Sequence, residues 1–482
     1  FINFVNFFMA LVPVRMKAVN ICKVFGAGQG TLRWNFVFEA IGLVFIALLF
    51  ALYIVFALKD SFISNYVTCS LAFSENIATI IIVVAIAILI AVVAAVYPAF
   101  YITKFKASMA VKSGFAYSKS GRNLRSILIS TQFIVSMTLI IITAVFFLQY
   151  RFMLNYDIGI DKENVLVIFP YDFPAKSGET LIQKLEANPQ VKEVTATMSS
   201  FVGIPSSING YTKDDGSYYD VNIWYVRWNL IDFFKIPVLE GEGFTPNSNG
   251  RDMLINSCLS DNVDMKIGDK LDGWNTKGIM ANVHNMSLQG GHVNTAYLCY
   301  NDYYSGYYLR MQDNVDVKEM KEFIKTTVKE IAPFSDVIEV NTFDEHVGFY
   351  YYDIKKQVMI IAVFALIAIV ISLMGIFGIV LFETQHRRRE IGIRKVYGAT
   401  TENVINMFAR RYAVIVVICF VVAAPIAWFV SSRWLEQFAN RIVMPLWVYA
   451  LVLIVVFAIT MSIVVLRSWK AANENPSDSI NN

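Results

Sequence analysis

The chain has 482 residues, of which 56% are hydrophobic and only 16% are charged, and its formal net charge is +3. Soluble domains contain about 45–50% apolar and about 25% charged residues, so this composition excludes a large soluble protein. The apolar excess is concentrated in runs of roughly 18 residues or more, which are long enough to cross a ~30 Å hydrocarbon core as helices. A multi-span membrane protein is therefore predicted.

Apolar runs divide the chain into spans and connecting segments. Residues 1–13 are apolar but too short to cross a bilayer, and we interpret them as the end of a truncated transmembrane helix. Six complete spans are predicted after them: Phe36–Leu58, Ile77–Tyr101, Ile127–Gln149, Val358–Phe382, Tyr412–Ser432 and Leu446–Leu466. The predicted division is 1–13, the truncated span; 14–35, a first basic segment; 36–149, three spans with a basic linker at 102–125; 150–356, a polar domain; 357–383, one span; 384–410, a second basic segment; 411–466, a hairpin of two spans; and 467–482, a tail.

The distribution of Lys and Arg predicts the orientation, because cytoplasmic loops are enriched in these residues. Alternate loops carry them, and the two basic segments, the linker and the tail all fall on one side. We therefore place that side in the cytoplasm and the polar domain outside it, in a bacterial inner membrane.

The polar domain at 150–356 contains two predicted β-α-β units. Their elements are strand Asn164–Pro170, helix Gly178–Asn188, strand Val191–Met198, strand Tyr307–Met311, helix Val317–Ile331 and strand Val337–Asn341. Two such units predict a ferredoxin-like α+β layer. Between them, short strands with Gly- and Asn-rich turns at about 250–301 predict a small β-rich insertion.

One short segment occurs twice, once in each basic segment. Ala18–Ala27 has the sequence Ala-Val-Asn-Ile-Cys-Lys-Val-Phe-Gly-Ala, and Glu390–Ala399 has the sequence Glu-Ile-Gly-Ile-Arg-Lys-Val-Tyr-Gly-Ala. Each copy follows the end of a span and precedes a hairpin of two spans, so the chain is predicted to contain two related halves. The first half lacks the span and the outside domain with which the second half opens, and we expect an intact chain to have eight spans and two outside domains.

The second copy predicts an amphipathic helix at the cytoplasmic membrane surface. From His386 to Ala399, apolar residues are interspersed with Arg and Lys, and Gly398 is placed to end the helix in a left-handed cap. Thr400 or Thr401 can cap the helix that follows. A basic helix that only holds the topology and attracts anionic lipid would show the same pattern, so both interpretations stay open.

Three segments resemble the FtsX-like, MacB-type permeases of ABC transporters, in their duplicated eight-span form: Arg387–Ala399, Leu124–Ser136 and Gly159–Leu166. The resemblance implies a periplasmic domain in two parts, a ferredoxin-like porter part and the small insertion, which Phe233–Phe244 would link. It also implies that the amphipathic segment is a coupling helix that docks on a separate ATPase.

The resemblance assigns ATPase contacts to six residues: Glu390, Arg394, Lys395 and Gly398 in the second copy, and Lys23 and Gly26 in the first. The first copy departs from the pattern elsewhere, since Ala18, Asn20 and Cys22 stand where the second copy has Glu390, Gly392 and Arg394. We therefore expect two unlike contacts, of which the C-terminal one is the stronger.

No nucleotide-binding or catalytic motif accompanies these segments. Gly26–Gly30 is rich in glycine but lacks the Lys-Ser/Thr of a phosphate-binding loop, so ATP and Mg²⁺ are expected on the partner, and the chain is expected to bind no cofactor and to be no enzyme. His284 and His292 could ligate a metal, but without an acidic or Cys cluster we favour structural histidines. Cys258 and Cys299 could pair or remain two buried thiols.

The predicted spans are nearly free of ionisable residues, because Glu39, Glu383 and Arg411 lie at span ends. Carriers driven by protons or sodium commonly place charges or broken helices at mid-membrane, so the pattern argues against such a carrier.

These observations predict the membrane subunit of an ABC transporter that transmits mechanical work to a periplasmic domain for export, efflux or lipoprotein and envelope processes. The expected partners are two ATPase subunits, a periplasmic or outer-membrane protein or a lipoprotein, and the lipid bilayer, with no nucleic acid. A lipoprotein-releasing permease is an alternative within this class. A membrane-anchored sensor or scaffold without an ATPase is an alternative outside it. The substrate, and the choice between a single chain and a homodimer, stay open.

Overall fold

A computed structural model describes residues 4–5, 15, 18–61, 70, 72–103, 119–213, 215–248, 251–300 and 303–473. Most of the expected truncated span at 1–13, the middle of the basic linker at 104–118 and the end of the tail at 474–482 lie outside the described residues.

The strands occur between two groups of long helices. The first half of the chain contains α1 (Gln29–Leu58), α2 (Ile77–Thr103), α3 (Lys119–Asn155), β1 (Val165–Pro170), α4 (Gly178–Glu186), β2 (Val191–Thr197), β3 (Ser207–Thr212), β4 (Tyr218–Val226), α5 (Leu230–Phe233) and β5 (Val238–Gly241). The second half contains β6 (Asp252–Asn256), α6 (Ser257–Val263), β7 (Lys270–Leu271), β8 (Trp274–Met280), β9 (Thr295–Cys299), β10 (Gly306–Met311), α7 (Val317–Ile331), β11 (Ile338–Thr342), α8 (Phe343–Tyr350), α9 (Tyr352–His386), α10 (Arg388–Val396), α11 (Thr401–Leu435) and α12 (Leu446–Ala472). Residues 18–24 are also helical and are called the first surface helix below.

The chain forms two compact units. The membrane unit consists of Phe1–Phe146, Lys356–Ser432 and Met444–Asn482, and the sheet domain consists of Phe147–Lys355 and Arg433–Val443. The sheet domain therefore includes one segment, Arg433–Val443, that is remote in sequence from the rest of it.

All six predicted spans are helices of sufficient length and hydropathy to cross a membrane: α1, α2, α3, α9, α11 and α12. Several extend beyond the apolar run that predicted them. The α3 helix, for example, begins at Lys119 and ends at Asn155, because backbone hydrogen bonding continues into polar flanking sequence. The expectation of a multi-span helical protein is confirmed.

The helices of the membrane unit enclose two apolar clusters. One cluster joins α3, α9, α10, α11 and α12 and includes Phe133, Ile376, Ile391, Phe408 and Val464. Within it the Ser136 hydroxyl of α3 donates to the Ala368 carbonyl of α9 at 3.0 Å and lies 2.8 Å from the Ser372 hydroxyl. The other cluster joins the first surface helix to α1 and α2. In each half of the chain, the helix that carries the repeated segment is thus part of a helical core.

The sheet domain contains the predicted ferredoxin-like layer. Strands β11, β1, β10 and β2 are adjacent in that order, and every pair is antiparallel. This is the strand order that two β-α-β units produce, and α4 and α7 cover one face with an apolar core that includes Leu181, Leu185, Ile324 and Val328. The two predicted β-α-β units and the α+β class are confirmed.

The insertion between the two units is larger than the predicted range of about 250–301. Its strands extend from Ser207 to Cys299, and they continue the same sheet through a single pairing of Thr197 with Val226. The pairs β4 with β9 and β6 with β8 are parallel, so their strands are distant in sequence and no hairpin turn marks them. The early strands β3 and β4, by contrast, pair antiparallel as a hairpin with Gly216 in its turn, and the predicted range missed them although the sequence carries that turn residue.

Arg310 of β10 joins the porter layer to its neighbours. Its buried guanidinium donates to the carbonyls of Glu163 at 2.7 Å, Asp161 at 2.9 Å and Phe233 at 2.7 Å. Because a buried charge needs several hydrogen-bond partners, this residue ties the domain entry to the segment that begins at Phe233.

Candidate functional site

The two copies of the repeated segment have the same backbone geometry. In the second, Gly398 N donates to the Lys395 carbonyl at 3.0 Å and Ala399 N to the Arg394 carbonyl at 2.9 Å. In the first copy, the amides of Gly26 and Ala27 donate to the carbonyls of Lys23 at 3.0 Å and Cys22 at 2.9 Å. Both patterns are Schellman caps.

The glycine in each cap is required by its backbone conformation. Gly26 has a φ of +89° and Gly398 a φ of +91°, which a residue with a Cβ adopts only at a cost. A Cβ at either position would meet no atom within 4 Å, so the requirement is conformational and not steric. The predicted left-handed end of the helix is present in both copies.

Each copy exposes an aliphatic and an aromatic side chain just before its glycine. Val24 and Phe25 are 72% and 87% exposed, and Val396 and Tyr397 are 67% and 88% exposed. Five residues before the aliphatic residue of each pair, Val19 and Ile391 occupy matching positions and are buried. Each segment is therefore anchored by a buried residue and presents an apolar pair outward, as interaction surfaces commonly do.

The charges of the second copy are paired with one another. Arg394 Nη2 donates to Glu390 Oε1 at 2.7 Å, and Arg387 Nη1 lies 3.9 Å from Glu390 Oε2. Both pairs are partly exposed and one helical turn apart, so each contributes only about 0.3–0.5 kcal/mol. These pairs therefore set the arrangement of charges on α10 and contribute little to its stability. The first copy lacks the main pair, because Ala18 and Cys22 stand at the two positions.

Lys23 is held by the end of α2. Its Nζ donates to the Thr103 carbonyl at 2.7 Å, and the Arg33 Nε donates to the Thr103 hydroxyl at 2.9 Å. Partial burial and the charge of Arg33 lower the pKa of Lys23. A cation is favourable at this place because the last carbonyls of a helix carry partial negative charge. Its counterpart Lys395 is half-buried on α10.

Ion pairs flank both copies, which the sequence did not predict. Arg15 pairs with Glu39 of α1, and Arg411 of α11 donates to the buried Glu383 of α9 at 2.6 Å. Glu39 and Arg411 occupy matching positions of the two halves but carry opposite charges. The charged residues at the span ends are therefore members of ion pairs. In the first half, Arg15 before the first surface helix is paired with α1; in the second half, α9 is paired with α11.

The His and Cys residues singled out in the sheet domain belong to no group that could hold a metal ion within the described residues. His284 and His292 stack with their ring centroids 3.8 Å apart, and burial together with His292 lowers the pKa of His284 to about 4. The part of the chain that the structure describes has no group of three or more His, Cys, Asp or Glu that could hold a metal ion. Cys258 and Cys299 are both free thiols.

A family model described as FtsX-like permease C-terminal matches residues 1–107 and 362–476. These two ranges contain the two copies of the repeated segment and the spans around them. No curated protein matches the chain.

Three solved structures are similar to part of the chain. The periplasmic region of MacB from Actinobacillus actinomycetemcomitans is 12% identical, with 41% of this chain and 96% of that chain covered and a TM-score of 0.30. The extracellular domain of the noncanonic ABC-type transporter YknZ from Gram-positive bacteria is 16% identical, with 37% and 100% covered and a TM-score of 0.30. A domain of a putative permease protein from Porphyromonas gingivalis is 14% identical, with 38% and 91% covered and a TM-score of 0.26.

Proposed function

We propose that this chain is an FtsX-like permease of an ABC transporter, as the matching family model supports, and that it couples ATP hydrolysis by a separate ATPase to motion of its sheet domain. ATP and Mg²⁺ bind the ATPase and not this chain. The sheet domain lies on the extracytoplasmic side of a bacterial inner membrane, and its motion serves export, efflux or an envelope process.

The duplicated surface helix carries the proposal. Both copies end in the same cap, bury one anchor and expose one aliphatic–aromatic pair, although their other residues differ. A shared exposed surface on two unlike helices is expected where two similar partners dock. Two ATPase subunits, one beneath each copy, meet this requirement. A basic helix that only attracts lipid has no need for the same glycine cap in both copies.

The docking residues extend beyond those that the sequence assigned. Val24, Phe25, Val396 and Tyr397 are the exposed apolar contacts, which an ATPase groove desolvates. Glu390 and Arg394 present a fixed charge pair beside the second apolar pair, with Lys395 and Gly398 completing that surface. Lys23 and Gly26 hold the first surface in its conformation, because Lys23 is hydrogen-bonded to the end of α2 and Gly26 ends the helix.

Packing inside the membrane unit supports transmission from the second copy. Ile391 of α10 belongs to the apolar cluster that also contains Ile129 and Phe133 of α3. Close-packed side chains transmit displacement because they leave few voids to absorb it. The α3 helix continues without a break to Asn155, so a push on α10 reaches the residues where the sheet domain begins.

The test is purification of the intact protein in a mild detergent. We expect an ATPase subunit to co-purify and the double substitution of Val396 and Tyr397 by Ala to weaken its binding at least about tenfold, because both apolar contacts are lost. Phe349→Ala is the matched control, since Phe349 is a similarly exposed aromatic residue of the sheet domain. Undiminished binding by the double variant would refute the docking assignment.

A membrane-anchored sensor or scaffold without an ATPase is the second candidate. The observation that favours it is the first copy, where Ala18 and Cys22 remove the charge pair of the second. The same purification separates the two functions, because a stable complex that contains no ATPase supports the scaffold. A lipoprotein-releasing permease is a narrower version of the first proposal and differs from it only in substrate.

A further inference from the structure

The loop between α11 and α12 is part of the sheet domain. Arg433–Val443 groups with Phe147–Lys355 by compactness, whereas the helices on both sides of the loop belong to the membrane unit. We call Arg433–Val443 the hairpin loop. Non-covalent contacts hold it against the rest of the sheet domain.

Asn440 is the centre of these contacts. Its backbone amide donates to the Leu288 carbonyl at 3.3 Å, and its carbonyl accepts from Gln149 Nε2 at 3.1 Å. Its side-chain oxygen accepts from the Tyr156 hydroxyl at 3.2 Å. Three polar atoms of one loop residue are therefore satisfied by groups from three different positions of the sheet domain.

Gln149 of α3 holds the loop from two sides. Besides donating to the Asn440 carbonyl, its carboxamide oxygen accepts from the Ile442 amide at 2.9 Å. The Gln149 side chain is fully buried, so loss of these bonds would leave donors and acceptors without water. An amide suits this position, because it supplies one donor and one acceptor to the backbone of the loop.

The opposite side of the loop rests on the segment that follows β8. The Ala439 amide donates to the Gln289 carbonyl at 3.1 Å. The neighbouring Leu288 amide donates to the Tyr351 hydroxyl at 3.3 Å, which holds this segment in place. Leu288 and Phe438 are both buried. The loop is thus enclosed between α3 and a segment of the β-rich insertion.

We propose that the hairpin loop is a third attachment of the sheet domain to the transmembrane helices, and that Gln149 is the positioning residue that fastens it. The first two attachments are the covalent ones through α3 and α9. The third attachment links the α11–α12 hairpin, which directly follows α10, to the same domain. Its role in transmission rests on the function proposed above, whereas the attachment itself does not.

With such an attachment, a displacement of α10 can reach the sheet domain by two routes. One runs through the core packing of α10 against α3, and the other runs along the chain through α11 into the hairpin loop.

Hydrogen exchange of the full-length chain in lipid nanodiscs tests the attachment without any ATPase. We expect Gln149→Leu to accelerate exchange of the Ala439, Asn440 and Ile442 amides about tenfold or more, because the carboxamide bonds that hold the loop are lost. Exchange in β1 should be unchanged. If the loop amides exchange as in the wild type, or if β1 accelerates by the same factor, the proposal is wrong.

Two further variants make the test specific. Gln149→Glu keeps the acceptor for the Ile442 amide but loses the donor to Asn440, so Ile442 should stay protected relative to the Leu variant. Gln289→Ala is the matched control, since Gln289 contacts the loop through its backbone carbonyl and the loss of its side chain should change nothing. Acceleration in Gln289→Ala equal to that in Gln149→Leu would contradict the role assigned to Gln149.

The role in transmission is measured with the co-purified ATPase. In Gln149→Leu we expect ATP hydrolysis to persist while the ATP-dependent change in exchange of the hairpin loop falls several-fold. An equal change in both proteins would overturn the transmission role. If the wild type shows no ATP-dependent change although its loop amides are protected, the proposed function fails and the attachment stands.

Discussion

Two glycines show how a single residue can preserve a surface between diverged copies. Gly26 and Gly398 end their helices at almost the same positive φ, and in each case the preceding aromatic side chain is largely exposed. Around them Ala18, Asn20 and Cys22 replace Glu390, Gly392 and Arg394 without changing the cap. The cap depends on backbone conformation and tolerates such changes, whereas its positive φ strongly favours glycine.

We predict that Gly398→Ala weakens ATPase binding about five- to tenfold. Ala at this φ costs roughly 1 kcal/mol, so the cap opens in the free protein and docking must rebuild it. Gly30→Ala is the matched control, because Gly30 lies at the start of α1 with open space around it and an ordinary φ. The measurement is the affinity of the purified chain for the ATPase, and equal affinities for both variants would show that the cap is dispensable.

At the scale of elements, each half of the chain pairs the charges near its span ends, but the two halves place opposite charges at matching positions. A charge near the end of a span needs a partner, since its desolvation is costly in a low-dielectric environment. The first half pairs Arg15 with Glu39, and the second pairs Glu383 with Arg411. Glu39 and Arg411 occupy matching positions of the two halves but carry opposite charges. An ion pair is nevertheless present near the end of this span in both halves.

We predict that Glu383→Gln destabilises the membrane unit by about 3 kcal/mol, because it leaves Arg411 without its buried partner. Exchanging the two residues, Glu383→Arg with Arg411→Glu, should recover a large part of this loss. The thermal unfolding midpoint in detergent measures both. Glu322→Gln, which breaks an exposed pair with Lys325 in α7, should have an effect below about 0.5 kcal/mol. A comparable effect of both single variants would contradict a special role for the buried pair.

At the scale of the whole molecule, the duplicated segment bears on stoichiometry. Both copies of the repeated segment are on one chain, so the proposed docking assigns two ATPase subunits to a single chain. In that arrangement the sheet domain receives work from two surface helices, of which α10 shares an apolar cluster with α3 and the first surface helix packs with α1 and α2. The two surfaces are consequently expected to differ in strength.

We predict that native mass spectrometry of the intact protein finds two ATPase subunits per chain. Substitution of Val24 and Phe25 by Ala should remove one subunit, and the same change at Val396 and Tyr397 should remove the other, which binds more tightly because its charge pair is intact. One subunit per chain in the wild type would instead indicate that two chains form the working unit.

The elements that the sequence predicted correctly are those set by local pattern. Long apolar runs predicted α1, α2, α3, α9, α11 and α12, because a helix satisfies the backbone hydrogen bonds of such a run within the segment itself. Alternating and helical periodicity predicted β1, α4, β2, β10, α7 and β11. The glycine at the end of the amphipathic segment predicted the cap at Gly398, and the structure has a second cap at the matching Gly26. Each of these signals lies within a few neighbouring residues.

What the tertiary structure decided involves residues that are far apart in the chain. Within the insertion, β4 pairs with β9 and β6 pairs with β8 in parallel, so no hairpin turn in the sequence marks these two pairings. The sequence does not distinguish Phe25 and Tyr397 from buried apolar residues. Only the structure shows that their side chains lie on the exposed face of each helix. The pairing of Glu383 with Arg411 and the hold of Gln149 on Asn440 depend on how helices pack. The sequence by itself therefore determined which segments are helices and strands and where the repeat lies, because those follow from local periodicity and composition. Only the packed fold could decide which buried polar groups satisfy one another, because that depends on three-dimensional proximity.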